Sequence, residues 1–170
     1  YLPTPNGEVI GFVDVPGHER FIHHMLAGAM GVDMVALVIA ADDGPMPTTR
    51  EHLQILGLLG LNQGMVVLTK TDRVNAERLA AVQAEIAALL EGTGLAGAPV
   101  FPVSAISGEG MAELKAHIEE QAAKFPRRAS GGGFRLAIDR CFSLAGIGTV
   151  VTGTTLSGTA SVGDGLVISP

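Results

Sequence analysis

The sequence predicts an α/β unit, a mostly parallel sheet with flanking helices, followed by the start of an antiparallel β-barrel. Three observations predict it. Apolar runs at Val9–Val13, Met34–Ala41, Gly64–Leu68 and Val100–Val103 each end abruptly in polar or turn residues, as buried parallel strands do. Segments with apolar residues at helical spacing alternate with these runs, for example Ile22, Met25, Leu26 and Ala29. After Gly133 that alternation stops and only strand patterns remain.

Tyr1 to Glu8 contains Asn6-Gly7, a tight-hairpin pair, so the residues before Asn6 should pair antiparallel with Glu8–Val15. The run beginning at Val9 places Asp14 at the carboxyl end of a strand, with Gly17 and His18 in the loop before a helix over Glu19–Met30. Ligands of open α/β sheets bind at that edge. Asp14 offers a carboxylate to a metal ion, directly or through water; a plain turn in which Asp14 caps the helix is the alternative. Gly17 lacks a Cβ, so its N–H can approach a phosphate closely. His18, His23 and His24 lack the i, i+4 spacing of a helical metal pair and read as surface residues.

Met34–Ala41 reads as a fully buried strand. Asp42-Asp43-Gly44-Pro45 ends it; two adjacent acids near a ligand edge could do acid–base work, but a turn whose acids cap the next helix is the preferred reading. Thr48-Thr49-Arg50-Glu51 fits a capping box, with the helix running to about Leu59. Gly64–Leu68 leads into Thr69-Lys70-Thr71-Asp72. A carboxylate there can accept both the N1–H and the exocyclic amine of guanine, a donor pair that adenine lacks; a T-K-x-D standing alone reads as an ordinary exposed turn. The aliphatic stem of Lys70 is suited to pack over a base. Asn75 caps a helix through roughly Leu90, with Leu79, Val82, Ile86 and Leu89 inward. Val100–Val103 leads into Ser104-Ala105, a backbone N–H for a base carbonyl and a hydroxyl to brace the loop. Gly108-Glu109-Gly110 is the entry to a last helix marked by Met111, Leu114, Ile118 and Ala122.

Residues 125–133, ending in three glycines, have linker composition. Phe134–Ser143 and Thr149–Leu156 read as strands, and Gly163-Asp164-Gly165 as a turn before a strand at Leu166–Ile168. The domains expected are therefore 1–124, a linker at 125–133, and a barrel start at 134–170.

The 170 residues suffice for one core, or one domain plus part of another. An apolar fraction of 47% and a mean hydropathy of +0.38 exclude a disordered chain. No apolar run reaches the roughly 18 residues of a membrane span. Nothing resembles a signal peptide, so no membrane partner is expected. The lone Cys141 is expected as a small buried hydrophobe in a reducing, cytoplasmic setting. A net charge of −6 argues against broad nonspecific nucleic-acid binding. Arg127, Arg128, Arg135 and Arg140 are the candidates for a local basic surface.

Asp14-Val15-Pro16-Gly17-His18, then Thr69-Lys70-Thr71-Asp72, then Ser104-Ala105 resemble the ordered D-x-P-G-H, [NT]-K-x-D and S-A signature of the translational GTPases. The resemblance covers nearly the whole chain. It is strongest to the selenocysteine-specific elongation factors, through Glu19-Arg20-Phe21, Met25-Leu26-Ala27-Gly28, Asp42-Asp43-Gly44, Thr49-Arg50-Glu51-His52-Leu53 and Phe134 to Arg140. Thr69, where most GTPases carry Asn, is typical of that branch, and Gly148–Gly153 continues the match.

The resemblance implies a P-loop-GTPase-type sheet, GTP or GDP with Mg²⁺ as ligands, and GTP hydrolysis as a switch in the complete protein. It implies that Asp14 supports Mg²⁺ through water, that the Gly17 amide meets the γ-phosphate, and that His18 positions the attacking water. Thr69, Lys70, Asp72, Ser104 and Ala105 would hold the base. Asp139 and Arg140 align with an acid–arginine pair at the selenocysteine side chain; a cross-strand ion pair is the alternative for them. Selenocysteinyl-tRNA and the ribosome are the implied partners, with an mRNA hairpin read by downstream regions. Elongation factor Tu-type delivery of ordinary aminoacyl-tRNA, and a non-hydrolysing binding remnant, are the alternatives. No G-x-x-x-x-G-K-[ST] stands in the sequence. The chain is therefore expected to be a fragment lacking that loop, and to bind GTP weakly or not at all by itself.

Overall fold

Uninterrupted aliphatic sequence forms the centre of the sheet. The computed structural model describes residues 1–4, 7, 9–15, 32–125 and 132–169. It divides into two compact units, Tyr1–Lys124 and Phe125–Pro170.

In the first unit, β1 (Leu2–Pro3) pairs antiparallel with β2 (Val9–Ile10), with Leu2 opposite Ile10 and Pro3 opposite Val9. A parallel sheet follows, β3 (Val35–Ala40), β4 (Gly64–Thr69) and β5 (Val100–Pro102), in the order β3-β4-β5. Helix α1 is Pro47–Leu58, α2 is Ala76–Leu90 and α3 is Met111–Lys124.

β4 is paired on both edges and inward on both faces. Val66 and Leu68 pack with Leu37 and Ile39 of β3, Leu53 and Leu56 of α1, and Val82, Ile86 and Leu89 of α2. Met65 and Val67 pack on the opposite face with Val103 and with Leu114 and Ile118 of α3. The period of two along one strand thus feeds two separate cores. Leu2 and Ile10 pack against the α3 side, and Val15 against the other.

Several sequence expectations are corrected. Val9–Val13 is not a buried parallel strand: only Val9–Ile10 is strand, and Phe12 and Val13 are 56% and 60% exposed. A strand exists only beside a neighbour, and the described residues offer Gly11–Val15 none. β3 is not fully buried, for Val38 is 63% exposed. Val38 is register partner to Val67 on the α3 face, but α3 covers β4 and not β3. The capping box is shifted: Pro47 occupies the first turn, Met46 is the N-cap, and Thr49 Oγ1 accepts the Met46 N–H at 3.1 Å in place of Glu51. Proline's fixed φ suits that first position and sets the start. The Glu19–Met30 helix lies outside the described residues.

Asn75 caps α2 as expected, accepting the Arg78 N–H at 2.8 Å. No helix among the described residues is long and apolar enough to cross a membrane.

In the second unit, β6 (Arg135–Leu144) and β7 (Gly148–Ser157) form an antiparallel hairpin. The register shifts between Ile138 and Arg140, which leaves Asp139 as the extra residue of a bulge. Cys141 is exposed rather than buried: within its own unit the described strands form only a two-stranded hairpin. Ser161 and Asp164 close a turn, the Ser161 N–H donating to Asp164 Oδ2 at 2.7 Å. Leu166–Ile168 beyond it forms no strand and has no strand partner among the described residues, and Val167 is 92% exposed.

Candidate functional site

Parallel register brings the strand ends to one edge. Ala40 pairs with Thr69, and Leu68 with Pro102, so the loops starting at Ala41, Lys70 and Val103 leave the sheet side by side.

The loop after β4 is set first. Thr69 ends the strand and its hydroxyl donates to Ile39 O at 3.3 Å. Lys70 then takes a left-handed conformation at φ 59°, the one non-glycine positive φ among the described residues. Such a turn is disfavoured by the Cβ and marks a place the surroundings determine. Thr71–Arg73 follows as a short 3₁₀ turn that presents Asp72 outward.

The loop after β5 locks onto it. Ser104 is wholly buried, yet every role of its hydroxyl is filled. It donates to Asp72 Oδ1 at 2.5 Å and accepts the N–H groups of Ile106 and Ser107 at 3.2 and 3.1 Å. A hydrogen bond to a carboxylate is a strong one, and it fixes the plane of Asp72. The intervening Ala105 N–H takes no partner among the described residues, while its neighbours on both sides are engaged. Gly110 closes this loop at φ 71°, where a Cβ would strike the Pro102 carbonyl.

Between the two loops opens a cavity of about 490 Å³. Thr69, Lys70, Asp72 and Arg73 are among its lining residues, with Ala105, Ile106, Met111, Val67, Val103 and Leu114, and most of the lining surface is apolar. That size lies within the range of small-molecule sites, about 300–1,000 Å³. A carboxylate, a lysine stem, a free N–H and apolar walls together suit a flat heterocycle carrying adjacent N–H donors and a carbonyl.

Sequence reasoning missed Asp42 and Arg73. The Asp42–Asp43 pair caps no helix. Lys70 Nζ donates to Asp42 Oδ1 and Oδ2 at 3.1 and 3.3 Å, Arg73 Nη1 lies 2.9 Å from Asp42 Oδ2, and Asp43 Oδ2 is 3.7 Å from Nζ. The Lys70 hydrogen bond is the largest influence on the Asp42 carboxyl; desolvation opposes it, and the Lys70 and Arg73 charges reinforce it, so the group is held below its ordinary 3.8. Asp42 stands two residues past Ala40, whose partner is Thr69; that register was the signal available.

Asp14 is described and exposed, and forms no hydrogen bond or ion pair among the described residues. No group of three or more metal-ligating side chains occurs among them. A lone carboxylate fits Mg²⁺ that draws its other ligands from water and phosphate. Gly17 and His18 lie outside the described residues, as do Arg127 and Arg128. Asp139 and Arg140 lie on β6 of the second unit, both exposed. They form no ion pair among the described residues; Asp139 Oδ1 instead accepts the Thr152 hydroxyl at 2.6 Å.

Residues 4–124 match the model of the elongation factor Tu GTP-binding domain. The chain belongs to that family. Its GTP-binding-domain relatives include the selenocysteine-specific elongation factor of Desulfomicrobium baculatum, 50% identical over 170 residues, 100% of this chain and 27% of that protein. The selenocysteine-specific elongation factor of Escherichia coli (strain K12) is 49% identical over 168 residues, 98% of this chain and 27% of the relative. Among solved structures, translation elongation factor SelB from Methanococcus maripaludis, in complex with the GTP analogue GppNHp, superposes with a TM-score of 0.78 at 33% identity, covering 89% of this chain and 34% of that one. The P-loop-GTPase-type fold read from the sequence is thereby borne out. The chain spans about a quarter of the length of the curated relatives it matches.

Proposed function

We propose that these residues belong to a GTP-dependent elongation factor that delivers selenocysteinyl-tRNA to the ribosome in the cytoplasm. Residues 1–124 are its GTP-binding part, 125–133 a linker and 134–170 the start of a barrel domain. The observation that carries the nucleotide reading is the Ser104–Asp72 hydrogen bond of 2.5 Å, Asp72 being one of the residues that line the cavity. It orients the carboxylate of a residue that lines a space of heterocycle size.

In this reading Asp72 accepts the guanine N1–H and exocyclic amine, and the Lys70 stem packs on the base. The Ala105 N–H donates to the base carbonyl and Thr69 braces the loop. Asp14 supports Mg²⁺, which would neutralise phosphate charge; Gly17 meets the terminal phosphate and His18 orients the attacking water. Positioning and charge neutralisation are most of what phosphoryl transfer requires of a protein. Asp139 and Arg140 stand beside the selenocysteine side chain, where a cation complements an ionised selenol. An mRNA hairpin completes the set of partners. Identity of 50% to a selenocysteine-specific factor along the full 170 residues supports the choice of aminoacyl-tRNA.

The test uses the longest natural polypeptide that carries this chain. It should bind GTP in preference to ATP, and selenocysteinyl-tRNA in preference to seryl-tRNA, when loaded with GTP. Equal binding of the two tRNAs would favour a carrier of ordinary aminoacyl-tRNA. Equal binding of GTP and ATP would refute the nucleotide reading itself.

A further inference from the structure

We propose that Asp42 is a positioning residue for base recognition, holding the Lys70 side chain as a wall of the nucleotide cavity. This rests on the guanine-binding reading above and deepens it. Asp42 does not line the cavity; Lys70 and Arg73 do. Its action on a base is therefore indirect, through the two cations it binds.

A lysine side chain is long and mobile, and it is a poor wall unless its head is tied. Here the head is tied at 3.1 and 3.3 Å by both oxygens of Asp42, one of which also meets Arg73 at 2.9 Å. The backbone of Lys70 is committed as well, to its left-handed turn at φ 59°. Both ends of the stem are thus fixed in a residue that lines the cavity.

The anchor is itself anchored. The Ala41 N–H donates to Thr69 O and the Gly44 N–H to Ala40 O, each at 2.8 Å, and the Asp43 N–H donates to Asp42 Oδ1 at 3.2 Å. From α2, Arg78 Nη2 donates to Asp43 O at 3.3 Å while Nη1 binds Glu85 at 2.9 Å. Gly44 is buried at φ 77°, and a Cβ there would lie 2.9 Å from both Arg78 Nη2 and Glu85 Oε2. The turn is built to hold one geometry.

Stability alone is a weak reason for such a cluster. The side chains of Lys70 and Arg73 are 42% and 60% exposed, and ion pairs that open to solvent contribute little to folding. The arrangement gains its value where the lysine stem is used.

The experiment measures equilibrium binding of ribose-labelled fluorescent GDP and inosine diphosphate to the longest natural polypeptide carrying the chain. The variants are Asp42→Asn, Asp42→Glu, Lys70→Met, the Asp42→Asn/Lys70→Met pair, and Asp72→Asn. Asp42→Asn should weaken both nucleotides about tenfold, since a stacked stem does not read the 2-amino group. Asp42→Glu should recover to within about threefold of wild type, because the anion is restored. In the Lys70→Met background, Asp42→Asn should cost less than about twofold, the mark of residues acting as one unit. Asp72→Asn, by contrast, should abolish the preference for GDP over inosine diphosphate. An unchanged affinity in Asp42→Asn, or the same loss with and without Lys70, overturns the proposal. Should Asp42→Asn fail to fold, Asp42→Glu against Lys70→Met decides: affinity as low in Asp42→Glu as in Lys70→Met also overturns it. A wild type with no preference for GDP over ADP overturns the guanine reading and this proposal together, whereas a guanine-selective wild type with a neutral Asp42→Asn overturns only this one.

Discussion

Replacing Asp72 with asparagine tests the base-recognition geometry most directly. The wild-type carboxylate spends one lone pair on the Ser104 hydroxyl at 2.5 Å. A carboxylate has about four acceptor positions, so enough remain for two base N–H groups. Asparagine keeps one carbonyl oxygen and turns an NH₂ group toward the base. One charge-assisted bond, worth roughly 1.5–3 kcal/mol, is lost, and the guanine amine then faces a donor, an unsatisfied contact costing about 1–3 kcal/mol more. The sum predicts GDP binding weaker by roughly two to four orders of magnitude. Xanthine carries a carbonyl where guanine has the amine, and the asparagine NH₂ donates to it. Xanthosine diphosphate should therefore bind the variant better than GDP does. Titration of fluorescent GDP and xanthosine diphosphate against both proteins reads this out. GDP affinity within tenfold of wild type, or equal losses for both nucleotides, would refute the reasoning.

Ser104→Ala should lower unfolding stability by about 1–3 kcal/mol in urea titration, because the Ile106 and Ser107 N–H groups lose their shared acceptor. The pH dependence of unfolding should carry no contribution from Asp42 in the neutral range. A carboxyl depressed below 3.8 in the folded state stabilises above its unfolded value, and that share is lost only as pH falls through the folded value. Wild-type and Asp42→Asn stability curves should thus run parallel above about pH 5 and converge only in acid. The 170-residue chain alone, which contains no G-x-x-x-x-G-K-[ST], should bind labelled GTP weakly or not at all; sub-micromolar affinity in direct titration contradicts that.

Strand-end chemistry was legible because it is local. Thr69-Lys70-Thr71-Asp72 and Ser104-Ala105 each follow an apolar run, and parallel pairing necessarily brings such ends together. The core helices were legible from spacing, as Val82, Ile86 and Leu89 on one face of α2 attest. Asp42 was not legible from its neighbours. Two acids before a helix look like caps, and its true partner, Lys70, is 28 residues on. Phe12, Val13 and Val38 failed for a related reason. Apolar patterning states what a segment can bury, while burial depends on a neighbouring strand or helix being there to bury it. Cys141 follows the same logic on the hairpin. The box at Thr48–Glu51 failed because Pro47, one residue earlier, fixes its own backbone angle and starts the helix first.

β4 alone among the described strands has a partner along each side. Local opening begins where hydrogen-bonded ladders end, so the edges of this sheet fray before its middle. The loop bearing Lys70 and Asp72 hangs from that middle rib, held there by Thr69. Whatever loosens at the periphery, the groups facing the cavity keep their bearings longest.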